Sequence, residues 1–111
     1  MSQEKFGRMT VIEAKSKMDA GWKPIVIDVR KAFEFQIAEL DFVDIKKEHE
    51  MILDLVETLP KDQDILITCR SGARSAAACA MLAQAGFDRC INLEGGILAW
   101  AVHIDTSLQT Y

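Results

Sequence analysis

The chain has 111 residues, half of them hydrophobic and 27% charged, which suits one folded domain with a buried core and argues against a disordered polymer. Thirteen Lys and Arg against seventeen Asp and Glu give a formal charge of −4, so there is no bulk attraction for nucleic acid or an anionic membrane. Met1–Arg8 lacks the apolar run of a leader, no segment approaches the roughly 18 apolar residues of a membrane span, and the expected location is the cytoplasm.

Thr10-Val11-Ile12-Glu13 has the spacing of a capping box and predicts a helix from there to about Ala20, stopped by Gly21 and followed by Pro24. Ile25-Val26-Ile27, leading into Asp28-Val29-Arg30, is a short β-branched run of the kind buried on both faces of a sheet. A short helix is expected over 32–38 and a short strand over 42–45. Between Lys47 and Leu59 the apolar residues Ile52, Leu55, Val56 and Leu59 recur at i, i+3, i+4 and i+7, which predicts an amphipathic helix ended by Pro60. Ile65-Leu66-Ile67 is a second buried strand, and Ser75–Ala85 a helix of small residues closed by Gly86. Ile91-Asn92-Leu93 is a last strand, and Gly95-Gly96 opens a helix over 97–102. Strands alternating with helices through short connections imply an α/β fold, with a central, mostly parallel sheet covered by helices on both faces.

The chemistry is expected where the strand at 65–67 turns into the helix at Ser75. Ligands of open parallel sheets bind beyond the carboxyl ends of the strands, and Cys69 lies there. Backbone amides entering a helix N-terminus, with Gly72 free to adopt an unusual dihedral, form a concave nest that favours negative charge on a sulfur. The loop Arg70, Ser71, Gly72, Ala73, Arg74 and Ser75 is the candidate binding ring. Its two arginines, Arg70 and Arg74, are candidates for drawing in an anion, Arg74 also for fixing the loop.

Thr68-Cys69-Arg70-Ser71-Gly72-Ala73-Arg74-Ser75 resembles the active-site loop of rhodanese domains. Ile27-Asp28-Val29-Arg30 with Glu34-Phe35 is similar to their N-terminal signature, and Asn92-Leu93-Glu94-Gly95-Gly96-Ile97 with Trp100 to their C-terminal one. The motifs stand in the family's order and the likeness covers residues 10–102, the expected core of a single domain spanning 1–111. It extends to the rhodanese domains fused to E1-like adenylyltransferases of molybdopterin and thiamine biosynthesis, through Leu82–Arg89, Ile97–Ala101 and Asp105–Leu108. The resemblance implies a sulfurtransferase. Sulfane sulfur passes from a donor such as thiosulfate to Cys69, as a persulfide, and on to a thiophilic acceptor: cyanide, a thiol or a carrier protein. A sulfur relay, with a sulfur-carrier protein or a cysteine desulfurase as partner and little turnover of small donors, is the alternative it leaves open. The Cys-x4-Arg spacing from Cys69 to Arg74 is one residue shorter than the Cys-x5-Arg loop of related phosphatases, and fits a single sulfur better than a tetrahedral oxyanion.

Asp28 and Arg30 are expected as structural support beside the loop, the carboxylate holding an arginine through paired hydrogen bonds; Glu34 and Trp100 receive the same reading. Cys79 and Cys90 suit core packing. The three cysteines lack CxxC spacing and a clustered histidine, so no metal and no cofactor are expected. Residues 36–42, Gln36-Ile37-Ala38-Glu39-Leu40-Asp41-Phe42, depart from the family's usual Gly-His-Ile segment and put access and specificity at the loop in question.

Overall fold

A computed structural model describes residues 5–111; the first four residues of the Met1–Arg8 stretch read above lie outside the described ones. Five strands form one parallel sheet: β1 (Gly7–Thr10), β2 (Ile25–Asp28), β3 (Ile45–Lys46), β4 (Ile65–Thr68) and β5 (Cys90–Glu94), in the order β1-β5-β4-β2-β3. The helices are α1 (Val11–Asp19), α2 (Ala73–Gln84) and α3 (Gly96–His103), with 3-10 turns at Ala32–Gln36 and His49–Leu55. No helix among the described residues is long and apolar enough to cross a membrane.

The strand side chains alternate between two cores, as a pleated sheet covered on both faces requires. Ile27, Ile65, Ile67, Cys69 and Cys90 face one side, with Ile52, Leu59, Ala78, Cys79 and Leu82. Val26, Leu66 and Leu93 face the other, with Val11, Ala14, Ile97 and Trp100. β4, in the middle, is buried at every residue, so its Ile65-Leu66-Ile67 run can be continuously apolar and still serve both cores.

The Thr10 cap forms as its spacing predicts. Glu13 N–H donates to Thr10 Oγ1 at 3.1 Å and Thr10 N–H to Glu13 Oε1 at 3.2 Å. Immediately before it lies the strand that the sequence does not announce. β1, Gly-Arg-Met-Thr, is exposed at three of its four positions and pairs only along β5, so an edge strand here needs no apolar run. The 47–59 helix contracts to the 3-10 turn His49–Leu55, whose Glu48 cap supplies no side-chain bond. Lys47 and His49 donate their N–H groups to the Asp28 and Val29 carbonyls, which ties the start of this segment to β2 and leaves little length for α-helical turns. The helix expected over 32–38 is likewise a 3-10 turn, confined to Ala32–Gln36. The strand expected over 42–45 shifts to Ile45–Lys46, because Phe42 turns into the core, its ring 4.9 Å from that of Trp100.

Candidate active site

β4 ends at Thr68 and α2 begins at Ala73, so Cys69–Gly72 must reverse the chain within four residues. Gly72 does so with φ +104°, a conformation open to glycine and strained for other residues. The turn brings its own amides back onto the cysteine. Gly72 N–H donates to Cys69 Sγ at 3.1 Å and Ser75 N–H at 3.4 Å, and Ser75 Oγ stands 3.3 Å away. These are the first donors of α2, aligned with its positive dipole end, and they favour negative charge on the sulfur. Cys69 itself is 1% exposed.

The loop's carbonyls are occupied elsewhere. Ile97 N–H donates to Cys69 O at 2.9 Å and Leu98 N–H to Arg70 O at 3.0 Å, so the first turn of α3 docks directly on the loop. The approach is close enough that a Cβ on Gly96, which has φ +56°, would collide with the Cys69 and Arg70 carbonyls. Asn92, fully buried on β5, donates through Nδ2 to Gly72 O at 3.2 Å and accepts from Ser75 Oγ at 2.5 Å. Ser75 has a single hydroxyl proton. Donating it to Asn92 leaves a lone pair toward Cys69, and turning it to the sulfur releases Asn92 Oδ1.

Around this loop stand two ion pairs. Arg30 and Asp28, both buried, are joined through Nε to both carboxylate oxygens at 3.1 Å and through Nη2 at 3.0 Å. Arg30 Nη2 also donates to Ala38 O at 2.9 Å, which fixes the altered segment 36–42 against β2. Arg74 meets Glu34 in a fork, Nη1 to Oε1 at 2.6 Å and Nη2 to Oε2 at 2.9 Å. That guanidinium, against the cost of burial and with help from the Tyr111 hydroxyl and the Lys31 N–H, pulls the Glu34 carboxyl down to about 2. Arg70 is half-buried, its guanidinium 5.0 Å from the centre of the Tyr111 ring. Ser71 and Ala73 are exposed on the rim.

The other two thiols sit in the core. Burial pushes Cys79 far above the ordinary thiol range, and mainly burial, with the Asp88 charge, raises Cys90 to about 11. Both remain thiols at neutral pH and lack the anionic form that reacts.

The structure thus brings Cys69 and Arg70–Ser75 into one ring, with Asp28, Arg30 and Glu34 behind it. Glu34, read from sequence only as support, turns out to be the partner that holds Arg74. Two contributors escaped the sequence reading of roles. Asn92 carried a signal, a lone polar residue between Ile91 and Leu93 in a buried strand. Tyr111 carried none, lying beyond the last helix in a segment without periodicity.

The rhodanese-like domain family matches residues 10–103. Over 45 residues the chain is 62% identical to a sulfurtransferase of Allochromatium vinosum, covering 40% of this chain and 42% of that protein. It is 33% identical over 108 residues to the probable adenylyltransferase/sulfurtransferase MoeZ of Mycobacterium tuberculosis, covering 96% of this chain but only 28% of MoeZ. The chain therefore spans less than half the length of either relative. With the putative sulfurtransferase YtwF of Bacillus subtilis the identity is 35% over 92 residues, with 78% and 82% covered. A crystal structure of a rhodanese-like domain protein from Staphylococcus aureus superposes with a TM-score of 0.78 at 27% identity, over 95% of this chain and 98% of that one.

Proposed function

We propose that this chain, which belongs to the rhodanese-like domain family and has sulfurtransferases among its relatives, transfers sulfane sulfur through a persulfide on Cys69. In the first half-reaction the Cys69 thiolate attacks the outer sulfur of a donor such as thiosulfate. One sulfur–sulfur bond forms to Cys69, the bond to the sulfonate sulfur breaks with its electron pair, and sulfite leaves. In the second, a thiophilic acceptor such as cyanide or a thiolate attacks the outer sulfur of the persulfide, and the electron pair of the broken bond returns to Cys69 as thiolate. No external oxidant or reductant enters.

The observation that carries this reading is the convergence of the Gly72 and Ser75 N–H groups on Cys69 Sγ. Fixed dipoles aimed at a reacting atom stabilise the charge it carries without reorganisation during the reaction. Asp28 and Arg30 act behind the ring as support, Arg74, held by Glu34, fixes the loop, and Arg70 gives the ring positive charge.

The test is the mass of the intact protein after thiosulfate, followed by release of thiocyanate on adding cyanide. One sulfur, about 32 Da, is expected on Cys69 and not on Cys79 or Cys90, and Cys69→Ser should abolish both signals. Turnover persisting in that variant would overturn the assignment. The match to MoeZ favours a second reading, a relay that takes sulfur from a cysteine desulfurase and hands it to a sulfur-carrier protein. Loading by a desulfurase with none by thiosulfate would select that reading.

A further inference from the structure

We propose that Tyr111 is a positioning residue for Arg70, and through it sets the preference of the Cys69 loop for anionic reagents. This rests on the reading of Cys69 as the reacting sulfur, and extends it to a residue outside every motif considered above. Of the loop's two arginines, Arg74 has its guanidinium taken up by the fork with Glu34. Among the described residues Arg70 has no carboxylate partner, so its charge remains available to an incoming anion. A long arginine side chain left to itself samples many rotamers, and an anion that it must meet pays for ordering it.

The ring of Tyr111 removes that freedom. Its centre lies 5.0 Å from the Arg70 guanidinium carbon, within the range of attraction between a cation and an aromatic face. The ring is itself fixed at its far end. The hydroxyl donates to Glu34 Oε2 at 2.6 Å and accepts from Arg30 Nη1 at 2.8 Å. Those partners are 3% and 1% exposed, and each is locked by further bonds, Glu34 to Arg74 and Arg30 to Asp28. The position of Arg70 is therefore referenced to β2 and to the turn at Ala32–Gln36, not to its own loop alone. A guanidinium arranged before the donor arrives contributes to binding what would otherwise be spent on ordering it.

The readout is the rate at which Cys69 of the full chain is alkylated by iodoacetate, an anion, and by iodoacetamide, its neutral analogue. Tyr111→Ala should lower the iodoacetate rate relative to the iodoacetamide rate about threefold to fivefold, the factor that a cation–aromatic contact of ordinary strength is worth. Half-saturation by thiosulfate should rise by a similar factor, with the plateau loading rate within about twofold. Arg70→Ala should shift the ratio in the same direction, and the double variant should go no further than Arg70→Ala alone, as residues acting in series do. Tyr111→Phe keeps the ring but loses the hydroxyl that anchors it, so its rate ratio should lie between those of the native chain and Tyr111→Ala, and an iodoacetamide rate unchanged in all three separates positioning from a folding defect. Additive losses in the double variant would overturn the proposal, as would faster reaction of Tyr111→Ala with both reagents, the mark of a cover rather than a guide. If the native chain takes no sulfur from thiosulfate while the alkylation ratio still responds to Tyr111 through Arg70, the donor assigned above fails and this inference stands.

Discussion

Replacing Glu34 by Gln keeps the shape of the side chain and removes the charge that holds Arg74, which makes the Glu34–Arg74 fork accessible to a pH experiment. The carboxyl is lowered from 4.5 to about 2, chiefly by the Arg74 guanidinium. At ~1.4 kcal/mol per pH unit that difference corresponds to about 3 kcal/mol. The Arg74 side chain keeps 27% of its surface in solvent, and screening brings the expected contribution nearer about 2 kcal/mol. Because the carboxyl titrates lower in the folded chain than in the unfolded one, the contribution is complete above about pH 5 and is lost as the pH falls toward 2. Urea unfolding followed by fluorescence of Trp22 and Trp100 measures it. At pH 7 Glu34→Gln should be less stable by about 2 kcal/mol, and the gap should close as the solution is acidified through that window. Asp64, lowered by Trp22 and Arg89, contributes to the acid slope of both proteins and cancels in the difference. A gap of constant size from pH 7 to pH 2.5 would refute the electrostatic account of this pair and leave only lost packing.

Gly96→Ala should destabilise the chain by about 2–4 kcal/mol and abolish sulfur loading, since the new methyl meets the Cys69 and Arg70 carbonyls in addition to a left-handed backbone. Gly21→Ala is the matched control; its φ of +108° is strained but nothing lies within 4 Å of the added carbon. Calorimetry should show a loss of only about 1–2 kcal/mol there, with loading intact. Ser75→Ala leaves Asn92 Oδ1 buried without its donor, at a cost of about 1–3 kcal/mol, and takes one polar group from the sulfur. Stability in urea should fall by that amount and the maximal persulfidation rate should drop, while an unchanged rate would show that the two N–H groups suffice.

How much of this could be read beforehand depends on where each feature's cause lies. β2 and β4 were legible because burial on two faces demands a short continuous apolar run rich in β-branched residues, and Ile25-Val26-Ile27 and Ile65-Leu66-Ile67 supply it. The α1 cap was legible because both its partners lie within three residues. The turn of Cys69–Ser75 was legible in outline, because a strand, a glycine and a helix in that order constrain the backbone. β1 was hidden, since an edge strand paired on one side takes its conformation from β5 and not from its own residues. The 47–59 segment shows the same dependence: its i, i+3, i+4 pattern is satisfied at Ile52 and Leu55 by a 3-10 turn as well as by an α-helix, and its attachment to β2 decides between them. The partner of Arg74 was open for a related reason. The sequence placed the Asp28 carboxylate beside the loop without saying which arginine it holds; Arg30, two residues away, takes both its oxygens, and Arg74 pairs with Glu34.

The hydrogen-bond accounting of the loop explains why its short motif acts only within this fold. Each peptide unit offers an N–H and a carbonyl, and a sulfur carrying negative charge tolerates the first and repels the second. Thr68 O is consumed by Val29 N–H, Cys69 O and Arg70 O by the opening amides of α3, and Gly72 O by Asn92 and by Ala76 N–H. The carbonyls point outward into β2, β5 and α3 because donors wait there, and the Gly72 and Ser75 amides are thereby left to face inward. Three distant segments thus set the polarity of a ring whose own residues are contiguous. A peptide of residues 68–75 alone would hold none of it, and a change at Asn92 or Gly96, neither of which touches the sulfur, should alter its reactivity as surely as a change at Ser75.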